Sequence, residues 1–176
     1  MKKVRVYLNN NQKEIEVTKD IKDLIYFCCC LVLYLEKFKN YVEISVLLTD
    51  NIKIQKLNLK YKNKNKPTDV LSFPMDIHGK YTKYNSKTVI LGDIVVSVER
   101  ALSQLEEFNS CCIEEELARL VVHSMLHLLG YDHEKGEEDA KIMQKKERII
   151  NKIILNKFKF ERDNVLWKTV LVNLGS

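Results

Sequence analysis

The chain has 176 residues, of which 45% are hydrophobic and 30% charged, with five glycines and two prolines. That length suits one domain with a real core, and the composition excludes a disordered chain, a fibre and long flexible linkers. A net charge of +5 leans toward anionic partners without naming one.

Taken in chain order, Val4–Val17 mixes apolar and polar residues and is expected to open with a strand, with a turn at Asn9–Asn11. No apolar stretch follows Lys2 and Lys3, so no secretory signal is expected. Asp20 is expected to cap a helix from Ile21 through Phe38, with Leu24, Cys28, Leu31 and Leu35 on one stripe. Its uncharged run, Leu24–Leu35, is short of the about 20 residues a bilayer requires and reads as a buried helix. Val42, Ile44, Val46 and Leu48 alternate, which predicts a half-buried strand. Asp50–Tyr61 reads as a short helix, Lys62–Lys66 as a polar loop closed by Pro67, and Val70–Phe73 as a strand stopped by Pro74. His78–Lys87 reads as an exposed loop, and the β-branched run Val89–Val98 as a central strand.

Three helices are expected after that: Glu99–Phe108, Ile113–Leu129 with Gly130 as its stop, and Glu137–Phe158. Strands mixed with helices and then helices alone predict a single α+β domain over residues 1–158, with a small sheet packed by helices. The tail, residues 159–176, has no assigned place. Cys28, Cys29, Cys30, Cys111 and Cys112 are odd in number and contain no Cys-x-x-Cys spacing. They predict buried thiols in a reducing cytoplasm, not a disulfide framework or a thiolate metal site.

The chemistry gathers in His123-Ser-Met-Leu-His127-Leu-Leu-Gly130-Tyr-Asp-His133. Helical positions four apart sit about 40° apart around the axis, so His123 and His127 project side by side. Gly130 can adopt positive φ and turn the chain, which lets His133 close a third corner. Three imidazoles around zinc leave one position open, the arrangement of catalytic sites and not of structural ones. The spacing is similar to that of metzincin proteases, but Ser124 stands where their glutamate base would be. Peptide hydrolysis is therefore the weaker reading. Asp132, beside a ligand, is either an orienting partner of an imidazole or a turn residue.

The histidine segment HSMLHLLGYDH resembles the YbeY endoribonucleases, the bacterial ribosomal RNA maturation factors. Asn58–Pro74, ending in PTDVLSFP, and Leu91–Ser97, LGDIVVS, agree with the same family in one register from about Val42 to Ile150. The resemblance implies a zincin-like fold, one zinc ion per chain on His123, His127 and His133, and cleavage of single-stranded RNA. Its expected setting is the cytoplasm, in small-subunit ribosomal RNA processing and ribosome quality control, with ribosomal RNA and the small subunit as partners and neither DNA nor membrane. Ser124 replaces the family's usual glycine. Lys62 falls where the family carries a functional arginine, which gives it the catalytic position as a point charge without the planar fork.

Six lysines, at 53, 56, 60, 62, 64 and 66, lie between Asp50 and Asp69 with no carboxylate among them. Beside the PTDVLSFP strand this run predicts an RNA groove, with Lys60, Lys64 and Lys66 as backbone contacts. Tyr61, Tyr81 and Tyr84 are candidates for base stacking. The expected reaction is attack on a phosphodiester by a metal-activated water or by an RNA 2′-hydroxyl. The rival readings are a metalloprotease-like hydrolase, a non-catalytic zinc-stabilised ribosome assembly factor, and a hydrolase of small phosphate esters.

Overall fold

The first strand, β1 (Val4–Asn10), runs through two of the asparagines expected to turn. Asn9 and Asn10 pair with Leu47 and Leu48 of β2 (Tyr41–Thr49), and the Asn11 N–H donates to the Leu48 carbonyl at 2.8 Å. Pairing satisfies backbone groups that an early turn would leave open. Gln12 makes the turn instead: its Oε1 accepts from the N–H groups of Glu14 and Ile15 at 2.7 and 3.0 Å. The computed structural model describes residues 4–75, 88–105, 107, 110 and 112–163, so the expected loop His78–Lys87 and residues 164–176 lie outside the described residues.

Parallel neighbours need a crossover, and α1 (Lys19–Leu35) supplies it between β1 and β2. Thr18, not Asp20, caps this helix, because its hydroxyl accepts from the Ile21 N–H at 3.3 Å while Asp20 sits in the first turn. Ile21, Ile25, Cys28, Cys29 and Val32 are buried, and burial continues around most of the circumference, as a core helix requires. Asp50 caps α2 (Asn51–Lys62), its carboxylate accepting from the Lys53 N–H at 2.7 Å. Asn63 takes a left-handed φ of 56° and ends that helix, so Lys62 is its last residue and not the first of a loop.

The sheet order is β1-β2-β4-β3, with β1, β2 and β4 (Thr88–Ser97) parallel and the edge strand β3 (Val70–Pro74) antiparallel to β4. Between β2 and β4 the register slips: Glu43 pairs with Ile90 and Ile44 with Gly92, leaving Leu91 as the extra residue of a bulge. The slip changes the phase of the strand. Val89 is buried before it, and Leu91, Ile94 and Val96 all reach the main core. Val95 then faces the opposite side, in a small cluster with Ile54 of α2 and Leu71 of β3. The sheet is thus covered by α1 and the later helices on one face and by α2 on the other.

Ser97 caps α3 (Val98–Ser103) through its hydroxyl, which accepts from the Arg100 N–H at 3.3 Å. This helix is shorter than the expected Glu99–Phe108, since Gln104 already turns its N–H onto the Ala101 and Leu102 carbonyls. The helix α4 (Ile113–Leu128) crosses the main core with Leu117, Leu120, Val121, Met125 and Leu128 fully or almost fully buried. The last helix, α5 (Glu137–Asp163), runs five residues beyond the expected Phe158 and packs Met143, Ile150 and Ile154 into the same core.

Candidate metal centre

The end of α4 builds the site. Leu129 closes the helix, and the Gly130 N–H donates to the His127 carbonyl at 3.0 Å. Gly130 has φ of 94°, and the Tyr131 N–H returns to the Leu126 carbonyl at 3.1 Å. That turn brings His133 against the helical pair. One ligand atom from each of His123, His127 and His133 lies within 4.8 Å of the others. Among the described residues no fourth side chain joins the group. The His123 and His127 Nε2 atoms are 3.1 Å apart. Tetrahedral zinc with bonds of about 2.0–2.1 Å needs nitrogens about 3.3 Å apart, so this pair already has the right spacing. Desolvation first, and then the neighbouring His123 and His133 rings, hold the His127 pKa below the usual histidine range. A neutral imidazole is the form that binds a metal. The donor set and its spacing therefore fit an ion such as zinc.

The three rings open onto a groove of about 730 Å³ between α4, β3 and the loop after α2. Lys62, Lys64, Lys66, Arg100, Arg119 and Lys135 line it together with Val70 to Ser72 and Pro74, and Asp69, Asp132 and Glu134 set three carboxylates against those six cations. Arg119 stands one helical turn before His123 on the same stripe. Its guanidinium is held by Glu116, with Nε and Nη2 at 3.1 and 2.6 Å from Oε1, and Asp69 lies 3.8 Å away. Glu116 is fully buried and also accepts from the Ser110 hydroxyl at 2.9 Å. Its main work is to fix Arg119, beyond its place in the first turn of α4.

A family model described as endoribonuclease YbeY matches residues 7–154. The chain belongs to the endoribonuclease YbeY family. It is 37% identical to endoribonuclease YbeY of Acetivibrio thermocellus over 162 residues, covering 88% of this chain and 99% of that one. It is 45% identical to endoribonuclease YbeY of a Sulfurihydrogenibium species over 142 residues, covering 80% of this chain and 86% of the relative. The fold is similar to the solution structure of TM1509 from Thermotoga maritima, with a TM-score of 0.59 at 24% identity over 89% of this chain and 93% of that one.

In this member of the YbeY family the groove collects Lys62, Lys64, Lys66 and the three histidines. Lys60 is not among the lining residues; its ammonium lies over the Tyr61 ring at 5.0 Å. Tyr61 is half exposed and packs edge-on against Phe73, while Tyr81 and Tyr84 lie outside the described residues. The Asp132 carboxylate accepts from the Glu134 N–H at 2.9 Å, as a turn residue does. The carboxylate on an imidazole is Glu147, 2.6 Å from His123 Nδ1. Ser124 is fully buried and points into the core, where its hydroxyl has no partner among the described residues. Sequence reasoning passed over Arg119 although the i, i+4, i+8 spacing with His123 and His127 announces it. Arg100 and Glu147 carry no such local signal.

Proposed function

We propose that the protein is a zinc-dependent endoribonuclease of single-stranded RNA, acting on small-subunit ribosomal RNA in ribosome maturation and quality control in the cytoplasm. One observation carries this reading: three convergent imidazoles open onto a groove whose lining holds more lysines and arginines than carboxylates. The family name of the relatives supports RNA cleavage. His123, His127 and His133 would hold a zinc ion, which would supply Lewis acidity for activating a water or a ribose 2′-hydroxyl. The chain's own residues bind and orient the strand. Lys64 and Lys66 neutralise backbone phosphates along the wall, and Lys62 sets a point charge near the scissile phosphate. Ser124 gives no general base beside the metal ligands, which separates the site from a protease of similar spacing.

The test is cleavage of a defined single-stranded RNA by the wild type and by His127→Ala, with metal content read on both. We expect about one zinc per wild-type chain and cleavage by the wild type alone. Equal cleavage by both proteins would sink the reading. A wild type that keeps zinc and cuts no RNA would be a zinc-stabilised assembly factor or a hydrolase of another substrate. A 2′,3′-cyclic phosphate on the product would assign the attack to the 2′-hydroxyl.

A further inference from the structure

Glu147 takes part in none of the roles given above, yet it makes the shortest contact to any of the three histidines. It projects from α5, and its Oε1 lies 2.6 Å from His123 Nδ1 across 24 residues of chain. On its own helix the residues three and four away are Met143, Gln144, Ile150 and Asn151, so no lysine or arginine pairs with it there. Its side chain is 23% exposed, sheltered enough that water does not simply replace the imidazole. The far side of the same ring puts Nε2 3.1 Å from His127 Nε2. Glu147 is therefore behind the ligand and away from the groove.

We propose that Glu147 is a positioning residue of the metal centre: by accepting the His123 Nδ1–H it fixes the tautomer and ring angle that aim the Nε2 lone pair at the ion. In a neutral imidazole, an Nδ1–H given to a carboxylate leaves the other nitrogen free of a proton, which is the ligand form. The preceding residue extends the same grip. The Lys146 ammonium binds Glu36, the residue that caps the C-terminal end of α1, at 2.7 Å, and Glu36 accepts from the Tyr131 hydroxyl at 2.7 Å. Successive residues of α5 thus hold the helical ligand and the loop that returns His133.

The inference rests on reading the three histidines as a metal site, so the test measures metal binding directly and does not depend on RNA cleavage. Zinc affinity is read by competition with a chelating dye for the full-length wild type, Glu147→Met and Glu147→Gln, with thermal unfolding of each metal-free protein beside it. Methionine keeps length and helix preference without the acceptor, so affinity falls about 10- to 100-fold. Glutamine keeps a carbonyl acceptor, so its affinity stays within about threefold of the wild type. The cobalt-loaded Glu147→Met protein shows an altered visible absorption spectrum, and the metal-free melting points stay together, which a merely structural role would not give. Should Glu147→Met fail to fold, Glu147→Asp, one methylene short of Nδ1, must show the loss in its place. Wild-type affinity in the variant lacking the acceptor, or an equal loss in Glu147→Gln, overturns the inference alone. A wild type that takes up no zinc overturns the metal-site reading with it.

Discussion

Gly92→Ala tests how the sheet sets the groove. Gly92 has φ of +145°, outside the range where L side chains are at ease, and it sits at the bulge of β4 against β2. A Cβ there would stand 2.3 Å from the Phe73 carbonyl oxygen and 2.9 Å from Leu128 Cδ2. The first neighbour is backbone of β3, paired with β4 at Phe73–Asp93 and Pro74–Gly92, so it cannot move aside alone. Backbone strain contributes about 1–3 kcal/mol and overpacking about 1–3 more, giving a loss of roughly 2–6 kcal/mol. At about 2–4 °C per kcal/mol for a chain of this size, melting should fall by roughly 5–20 °C. Because β3 carries Val70 to Ser72 and Pro74 of the groove, its displacement should also lower RNA cleavage more than zinc affinity, which depends on α4 and its turn. Urea and thermal unfolding of the metal-free protein, with zinc titration of the folded variant, give the numbers. A stability loss below about 1 kcal/mol, ordinary for an unremarkable substitution, would refute the argument that the bulge needs glycine.

Other expectations follow from the same geometry. Replacing Lys62, Lys64 and Lys66 together by glutamine should weaken binding of single-stranded RNA to a His127→Ala background and flatten its log–log salt slope by about 2, at about 0.7 per phosphate contact; an unchanged slope would place the strand elsewhere. Glu116→Ala leaves Arg119 without its buried carboxylate and should cost about 2–4 kcal/mol in urea unfolding, with Glu116→Gln recovering part of it. Burial pushes the Cys28 and Cys29 thiols well above their ordinary value of 9.0. Both should resist a disulfide reagent at pH 8 until the protein unfolds. Their raised values favour the protonated native state, so this contribution to stability is whole below pH 9.0 and is lost as pH rises above it. Replacing both by alanine should remove that alkaline slope in melting points taken from pH 8 to 10.

The local reading of the sequence was strongest where one element explains itself. The alternation from Val42 to Leu48 became β2 with those four side chains buried, and the spacing of His123, His127 and Gly130 became a helix, a stop and a turn. It was weaker at the ends of elements, where competing groups decide. Thr18 outcompeted Asp20 for the cap, pairing with β2 carried β1 through Asn9 and Asn10, and Gln104 ended α3 early.

Taken alone, the sequence determined which histidines converge and which run of lysines is free of carboxylates, because both patterns lie within a few turns of chain. Only the tertiary structure decided that β4 lies between β2 and β3, that a bulge at Leu91 flips the face of Ile94 and Val96, and that Glu147 reaches His123. Those outcomes come from burying apolar faces of elements far apart in the chain. Periodicity shows that such faces exist, but which face meets which is settled by packing the whole core at once.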